Sequence, residues 1–271
     1  MMNLQKTTSW KEIWSNQMED MAARSDTGYW NRRAEDYNDF ITSSRFGYGK
    51  KMCEILTEEG IIDTNSLVLE IASGVGAVTL PLARHSKGVI AVEPAQSMAN
   101  LLEANADSAE VKNIKVEVAD FASFAAQAQD NSFDLVFLCH AAWQFPDIEE
   151  LISEMSRISR GFCCLADTMG IGDAENHQMQ RKLGINAPEL DRSLYLYNIL
   201  NELGRPADLS NVSYTMRRST DSARSMWTNL VSKYRTVSTE DSELIKQHVE
   251  SRNNAGFYEV PAVMSLMWWR S

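Results

Sequence analysis

Residues 68–77 read VLEIASGVGA, and this stretch decides the fold. An apolar segment that favours a strand, 67–71, leads into a turn that contains Gly74 and Gly76. The residues that follow, 77–85, favour a helix. A strand, a tight glycine turn and the start of a helix form the unit with which α/β folds bind nucleotides. Because glycine lacks the Cβ that would block a close ligand, we expect a nucleotide-like ligand at this turn.

The turn departs from the dinucleotide fingerprint G-x-G-x-x-G, because Thr79 stands where the third glycine belongs. An acid, Glu70, also precedes the glycines, whereas a pyrophosphate favours free N–H groups and positive charge. The pattern E-x-A-S-G-x-G therefore favours a ligand with a cationic part. It resembles motif I of the class I S-adenosylmethionine (SAM) methyltransferases, with Ala72 and Ser73 in the places of other small residues. An ordinary glycine turn in an α/β domain is the alternative interpretation.

Apolar segments that favour strands alternate with segments of helical periodicity through the middle of the chain. After the first strand, further strands are expected at 88–92, 114–118, 133–139 and 162–166, with helices at 97–106 and 148–158 between them. This alternation predicts a parallel sheet. A late strand pair at 212–216 and 261–270 resembles the antiparallel end of the methyltransferase sheet. The predicted fold class is α/β, a doubly wound seven-stranded mostly parallel sheet with an antiparallel C-terminal strand pair and a helical cap.

The chain is expected to divide into an N-terminal helical cap segment, residues 1–50, and a SAM-binding methyltransferase domain, residues 51–271. Helices are expected at 10–22 and 29–41, and Gly47 and Gly49 are expected to end the second one. The larger domain should carry a helical insertion at about 171–210 and 220–253.

Three further segments resemble the methyltransferase pattern in the same order along the chain. Glu93 ends the second strand, and the resemblance implies that its carboxylate accepts both ribose hydroxyls. The run VEPAQSM, 92–98, is similar to the family's [DE]-x-[ST]-x-x-M, which implies that Met98 packs on the adenine. Asp120 ends the third strand before Phe121, where the family's acid accepts from the adenine amino group.

The resemblance therefore implies contacts with SAM, and with its product S-adenosylhomocysteine, from several strand ends. The expected cofactor-binding residues are Glu70, Ala72, Ser73, Gly74, Gly76, Glu93, Pro94, Met98, Asp120, Phe121, Cys139, Tyr29 and Arg33. Tyr29, Trp30 and Arg33 would close over the methionine end of SAM, with simple helix packing as the alternative.

Cys139, His140, Trp143 and Gln144 follow the fourth strand, beside the expected methyl group. His140 is the candidate catalytic residue, as a general base, and a hydrogen-bonded pocket wall is the alternative. No metal is expected, because the Cys163-Cys164 pair begins an apolar strand and no third thiol is placed to complete a site.

Composition limits the classes of partner. The net charge of −11 argues against general nucleic-acid binding, which requires clustered Lys and Arg. No apolar run approaches the ~20 residues of a membrane span, and the N-terminus lacks the apolar core of a signal peptide, so a cytoplasmic location without membrane attachment is expected.

The expected function is SAM-dependent methyl transfer to a small-molecule acceptor. Protein or RNA methylation and a non-catalytic, regulatory SAM-binding protein are the alternatives, and the sequence specifies neither the acceptor atom nor the oligomeric state. Aromatic and methionine side chains are frequent between Gly170 and Tyr234. We therefore hypothesise that residues 29–37 and parts of 187–234 fold over the site when SAM binds.

Overall fold

The computed structural model describes residues 9–170, 174–185 and 191–271, with the backbone alone at 174 and 175. The first eight residues of the expected cap segment lie outside the described residues. The same is true of 171–173 and 186–190, which belong to the expected helical insertion.

The chain begins with three helices that precede the sheet. They are α1 (Trp10–Ala23), α2 (Thr27–Ser43) and α3 (Gly47–Glu58). Ser9 caps α1 by accepting the backbone N–H of Glu12, and Asp26 caps α2 by accepting that of Tyr29. These side chains satisfy N–H groups that a helix leaves unpaired at its start, so both boundaries follow from local sequence.

The expectation that Gly47 and Gly49 end a helix was wrong, because both lie in the first turn of α3. The chain instead turns at Arg45 and Phe46, which both have positive φ angles. A Cβ on Gly49 would lie 2.0 Å from the carbonyl oxygen of Ala77, so α3 packs backbone against backbone on the segment after the glycine turn. Gly49 is therefore present for close packing, and such a requirement leaves no local signal in the sequence.

The middle of the chain alternates strands and helices as predicted. Its elements are β1 (Leu67–Ile71), α4 (Thr79–His85), β2 (Gly88–Val92), α5 (Gln96–Ser108), β3 (Ile114–Glu117), α6 (Phe121–Ala125), β4 (Phe133–Cys139), α7 (Ile148–Ile158) and β5 (Ser159–Thr168). Pro81 is the third residue of α4, where its missing N–H group costs no helical hydrogen bond.

The C-terminal part completes the sheet and adds four helices. Its elements are α8 (Ala174–Lys182), α9 (Arg192–Glu202), β6 (Asp208–Ser219), α10 (Thr220–Ser232), α11 (Thr239–Glu250), β7 (Asn253–Asn254) and β8 (Phe257–Arg270). The strand order is β3-β2-β1-β4-β5-β8-β6, and the short β7 pairs with β8. Strands β1 to β5 are parallel, whereas β8 runs antiparallel to both β5 and β6. The predicted fold class is confirmed.

Both faces of the sheet are buried. Alternate residues of β4 pack on opposite sides, with Leu135 and Phe137 in one apolar cluster and Val136 and Leu138 in the other. This explains why β4 is apolar from Leu135 to Cys139 rather than alternating. Helices α2, α3 and α5 cover one face, and α1, α7 and α9 cover the other.

A further apolar cluster lies away from the central sheet, among α8, α10, α11 and the start of β8. Met179, Trp227 and Val249 are buried in it. Most of the cap side chains that the sequence singled out as aromatic or methionine therefore pack among themselves or against the main core. No helix among the described ranges is long and apolar enough to cross a membrane.

We predict that Gly49→Ala lowers the free energy of unfolding by ~1–3 kcal/mol, because the new Cβ forces α3 away from the Ala77 carbonyl. Gly47→Ala is the matched control in the same helical turn, because a Cβ there meets nothing within 4 Å. The control should change stability by no more than ~1 kcal/mol. Urea denaturation of both variants measures this difference, and equal stability of the two would contradict the close approach.

Candidate active site

A cleft opens at the carboxyl ends of β1, β2 and β4. The strand order reverses between β1 and β4, and open α/β sheets bind their ligands at such a reversal. Within the described residues the cleft is lined by Trp30, Tyr37, Ala72, Gly74, Glu93, Pro94, Met98, Cys139, His140, Ala141 and Gln144. Seven of the sequence-predicted residues thus come together, from Ala72 and Gly74 through Glu93, Pro94 and Met98 to Cys139 and His140.

The carboxylate of Glu93 joins the end of β2 to the glycine turn. Its Oε2 accepts the backbone N–H of Gly74 at 2.8 Å, and its Oε1 accepts that of Ala95 at 2.8 Å. Burial raises the pKa of Glu93 above its ordinary value, although both N–H groups favour the charged form. Each carboxylate oxygen has a second lone pair, so Glu93 retains acceptor capacity toward the cleft.

The glycine turn has a backbone that few side chains tolerate. Gly74 and Gly76 have φ angles of +57° and +90°, and Ala72 also has a positive φ of 52°. A Cβ on Gly76 would lie 2.5 Å from Cδ1 of Leu80, so Gly76 allows α4 to pack on the turn rather than contacting the cleft directly. The buried Oγ of Ser73 has no hydrogen-bond partner in the part of the chain that is described.

Glu70 stands behind the turn instead of lining the cleft. It is 2% exposed, and its Oε2 accepts the hydroxyl of Thr79 at 2.5 Å. Burial raises the pKa of Glu70 to about 8, a shift that the Thr79 hydrogen bond only partly opposes and the nearby Glu93 reinforces. The carboxyl group therefore carries a proton at neutral pH, and in this structure it joins β1 to α4 rather than presenting a negative charge to a ligand.

His140 lies at the end of β4 with a positive φ of 58°. Its Nδ1 is 3.2 Å from Oγ1 of Thr168 and 3.5 Å from Oδ1 of Asp167. Asp167 is fully buried and also accepts Nε of Arg192 at 2.8 Å. Burial opposes the charge on Asp167, but Arg192 and His140 outweigh it and lower its pKa to about 2. A carboxylate beside Nδ1 favours the proton on that nitrogen and leaves Nε2 as the basic atom.

Two other groups that line the cleft are held neutral by burial. Burial raises the pKa of the Cys139 thiol well above its ordinary value, and Glu70 and Asp167 add to the shift. Burial likewise raises the pKa of Tyr37 to about 12. Neither group supplies a nucleophilic anion at neutral pH, so a thiolate of the protein does not compete with an acceptor for the methyl group.

Glu70, Ser73 and Gly76 do not line the cleft, and four further expected cofactor contacts also lie outside its lining. Asp120 is exposed, and it caps α6 by accepting the backbone N–H of Ser123 at 2.8 Å. Phe121 is buried in a neighbouring groove that shares Gln144 with the cleft. Tyr29 and Arg33 are buried beside Trp30, where Nη1 of Arg33 donates to the Tyr29 hydroxyl at 2.9 Å.

Ala141 is a lining residue that the sequence did not single out, whereas Tyr37 was expected only as the end of the segment 29–37 that would fold over the site. Tyr37 lies on the same face of α2 as Trp30. Two polar bonds hold this face over the cleft: Asn31 accepts the backbone N–H of Ser97 at 2.9 Å, and Asn105 donates to Asn38 at 2.8 Å. Asp167 and Arg192, which hold His140, were also missed, because only the folded chain brings them together.

Across the described ranges no three His, Cys, Asp or Glu side chains lie close enough to hold a metal ion. The residues of the cleft do fit an adenosyl group: Gly74, which has no Cβ, the carboxylate of Glu93 at a strand end and the apolar Met98 beside it. The unpartnered hydroxyl of Ser73 beside the turn is a further polar group that a ligand would satisfy.

Comparison with known families matches residues 68–161 to a methyltransferase domain. The match begins in β1 and ends in β5, so it spans the part of the sheet that forms the cleft.

Among curated proteins, the 23S rRNA (uracil(1939)-C(5))-methyltransferase RlmD of Francisella tularensis subsp. novicida is 32% identical to this chain over 98 residues. The alignment covers 36% of this chain but only 22% of that enzyme, so the chain matches about a fifth of the curated relative's length.

Two solved structures share the architecture at low sequence identity. A candidate methyltransferase from Bacillus halodurans C-125 has a TM-score of 0.54 at 19% identity, over 80% of this chain and 97% of that one. The YcgJ protein from Bacillus subtilis has a TM-score of 0.52 at 16% identity, over 82% of this chain and 99% of that one. These likenesses establish the fold. The chain therefore contains a methyltransferase domain at residues 68–161, within a fold that both solved structures share.

Proposed function

We propose that the protein transfers a methyl group from SAM to a small-molecule acceptor. The observation that carries the proposal is the cleft itself, in which the glycine turn, Glu93 and Met98 lie together opposite Cys139 and His140. In the proposed arrangement Glu93 accepts the ribose hydroxyls, Met98 packs on the adenine, and Ala72 and Gly74 lie along the methionine part.

When bound, SAM supplies an electrophilic methyl group on a sulfonium. The chain's main task is then to align the acceptor and exclude water, which can contribute ~7–11 kcal/mol. The roof formed by Trp30 and Tyr37 supports water exclusion. For an acceptor that must lose a proton, His140 is our candidate base, with Nε2 as the accepting atom; such a base contributes ~10²–10⁴ in rate.

A small acceptor is favoured over a polymer by two observations. The cleft is covered by α2, and the net charge of −11 disfavours a nucleic-acid backbone. The stretch shared with an RNA methyltransferase keeps RNA as the second candidate. Labelled methyl-SAM incubated separately with a metabolite extract and with unmodified RNA tests both. The proposal predicts label in the metabolite fraction, and label confined to RNA, or no consumption of SAM, would contradict it.

We also propose that residues 1–50 form a cap segment and that residues 51–271 form the methyltransferase domain. The helices of this domain that follow β5 complete the cap. Helix α10 packs on α2, and α2 carries two lining residues of the cleft. We therefore expect a movement of α10 to shift α2 as well.

The cap proposal predicts that S-adenosylhomocysteine slows hydrogen exchange in residues 29–37 and in the described part of 187–234. Mass spectrometry of peptides with and without the ligand measures this, with α7, which belongs to neither segment, as the internal reference. Protection confined to residues 70–140 would remove support for a closing cap.

For Glu93→Gln we predict at least tenfold weaker binding of S-adenosylhomocysteine, because the charged acceptor is lost and the new amide faces backbone N–H groups. Asp120→Asn should weaken binding less, because Asp120 is exposed and serves α6 as its cap. Calorimetric titration gives both dissociation constants. Wild-type affinity in the Glu93 variant would show that the end of β2 does not hold the ribose.

Gly74→Val should abolish binding, because a β-branched side chain disfavours a φ of +57° and adds bulk to the cleft wall. Gly204→Val is a matched control, because Gly204 also has a positive φ of 68° but has open space around it away from the cleft. The control should lose some thermal stability and keep its affinity for S-adenosylhomocysteine. Equal loss of affinity in both variants would attribute the effect to general destabilisation.

A further inference from the structure

Positive charge exceeds negative charge behind the aromatic roof of the cleft. Arg33 and Arg218 are both buried and share one buried carboxylate, Asp36, at 2.9 Å and 3.5 Å respectively. Arg33 also makes two hydrogen bonds to Asp36 through Nε. Asp36 is therefore already paired with Arg33, and Arg218 is influenced by Asp36 and by the nearby Asp39.

Lys233 adds a third cation at the edge of this cluster. Its Nζ lies 4.3 Å from the ring centroid of Tyr29 and 5.2 Å from that of Trp143. Among the described residues no carboxylate lies within ion-pair distance of this ammonium group. Burial lowers the pKa of Lys233 to about 8, and Arg33 lowers it further, which is the behaviour of a cation that has no counter-ion.

Two neighbouring buried donors also lack a hydrogen bond, although Arg218 keeps its 3.5 Å ionic contact with Asp36. Nη1 of Arg218 and Nε1 of Trp30 are both buried without a hydrogen-bond partner in the part of the chain that the structure describes. A buried donor without a hydrogen bond is destabilising, so these two donors and the unpaired ammonium of Lys233 together favour an acceptor. A negatively charged ligand would satisfy them.

The ammonium of Lys233 is linked to the β4 end of the cleft through the ring of Trp143. Trp143, whose ring it faces, donates through Nε1 to the backbone oxygen of His140 at 3.0 Å, just beyond the end of β4. The ring centroid of Trp143 is 6.1 Å from that of Trp30, which lines the cleft. Glu93 and Met98, where we place the adenosyl group, belong instead to the end of β2 and the start of α5.

We propose that Lys233 binds a carboxylate of the methyl acceptor, so that the substrate class is a small organic acid. This inference rests on the proposed methyl transfer and deepens it. The ring of Trp30, which lines the cleft, packs on the carbon skeleton of the acid, while Lys233 takes its charge and fixes its orientation. The excess positive charge near Arg33 and Arg218 also favours the carboxylate end of the substrate.

Calorimetric titrations with benzoate and its neutral isostere benzamide, into protein saturated with S-adenosylhomocysteine, test the proposal at constant ionic strength. Benzoate should bind at least tenfold more tightly than benzamide. Lys233→Met should remove that preference, and Lys233→Arg should keep part of it. Lys246→Met is the matched control, because Lys246 is exposed on α11, and it should bind both probes as wild type does.

The outcomes separate this inference from the proposed function. Absence of S-adenosylhomocysteine binding in the wild type would refute the function itself. If the cofactor product binds but benzoate and benzamide bind alike, or do not bind, the acid-binding role is wrong. Weaker S-adenosylhomocysteine binding in Lys233→Met with an unchanged benzoate preference would assign the ammonium to the cofactor's own carboxylate.

Discussion

The carboxylate of Glu93 accepts the backbone N–H groups of Gly74 and Ala95, and the rest of the cleft depends on this pair of bonds. They join the end of β2 to the turn after β1, so neighbouring strands present their carboxyl ends as one surface. Gly49 and Gly76 let α3 and α4 pack on that turn without a Cβ between them. Asn31 and Asn38 then hold α2 across the opening, which brings Trp30 and Tyr37 over the ligand side.

Charge is distributed unevenly around this frame. The whole chain carries a net charge of −11, yet Arg33, Arg218 and Lys233 gather behind the aromatic roof with Asp36 between them. Behind the glycine turn, burial raises the pKa of Glu70 to about 8, so its carboxyl group is neutral at pH 7. Asp167 keeps its charge because Arg192 and His140 offset its burial. Two buried carboxyl groups thus have different charge states, because cations lie beside Asp167 and none lowers the pKa of Glu70.

The sequence predicted the sheet well because its signals are local. The bounds of β1, β2 and β4 agree with the apolar runs that predicted them, and the residues at their ends line the cleft. What it missed depends on contacts between distant parts of the chain. Gly49 contacts Ala77, Asp167 pairs with Arg192, and Lys233 lies over the ring of Trp143. The two members of each pair belong to no common sequence motif or helical repeat. The sequence also could not predict that Glu70 is buried behind the turn, because an acid at this position could equally have faced the ligand.

The central claim is that this chain has one SAM site, built on the glycine turn. Titration of S-adenosylhomocysteine into the whole protein, followed by calorimetry, tests it most directly. The account predicts a single binding transition with about one ligand per chain, accompanied by a rise in the thermal unfolding temperature. No measurable heat and no shift in unfolding temperature with either S-adenosylhomocysteine or SAM would contradict it.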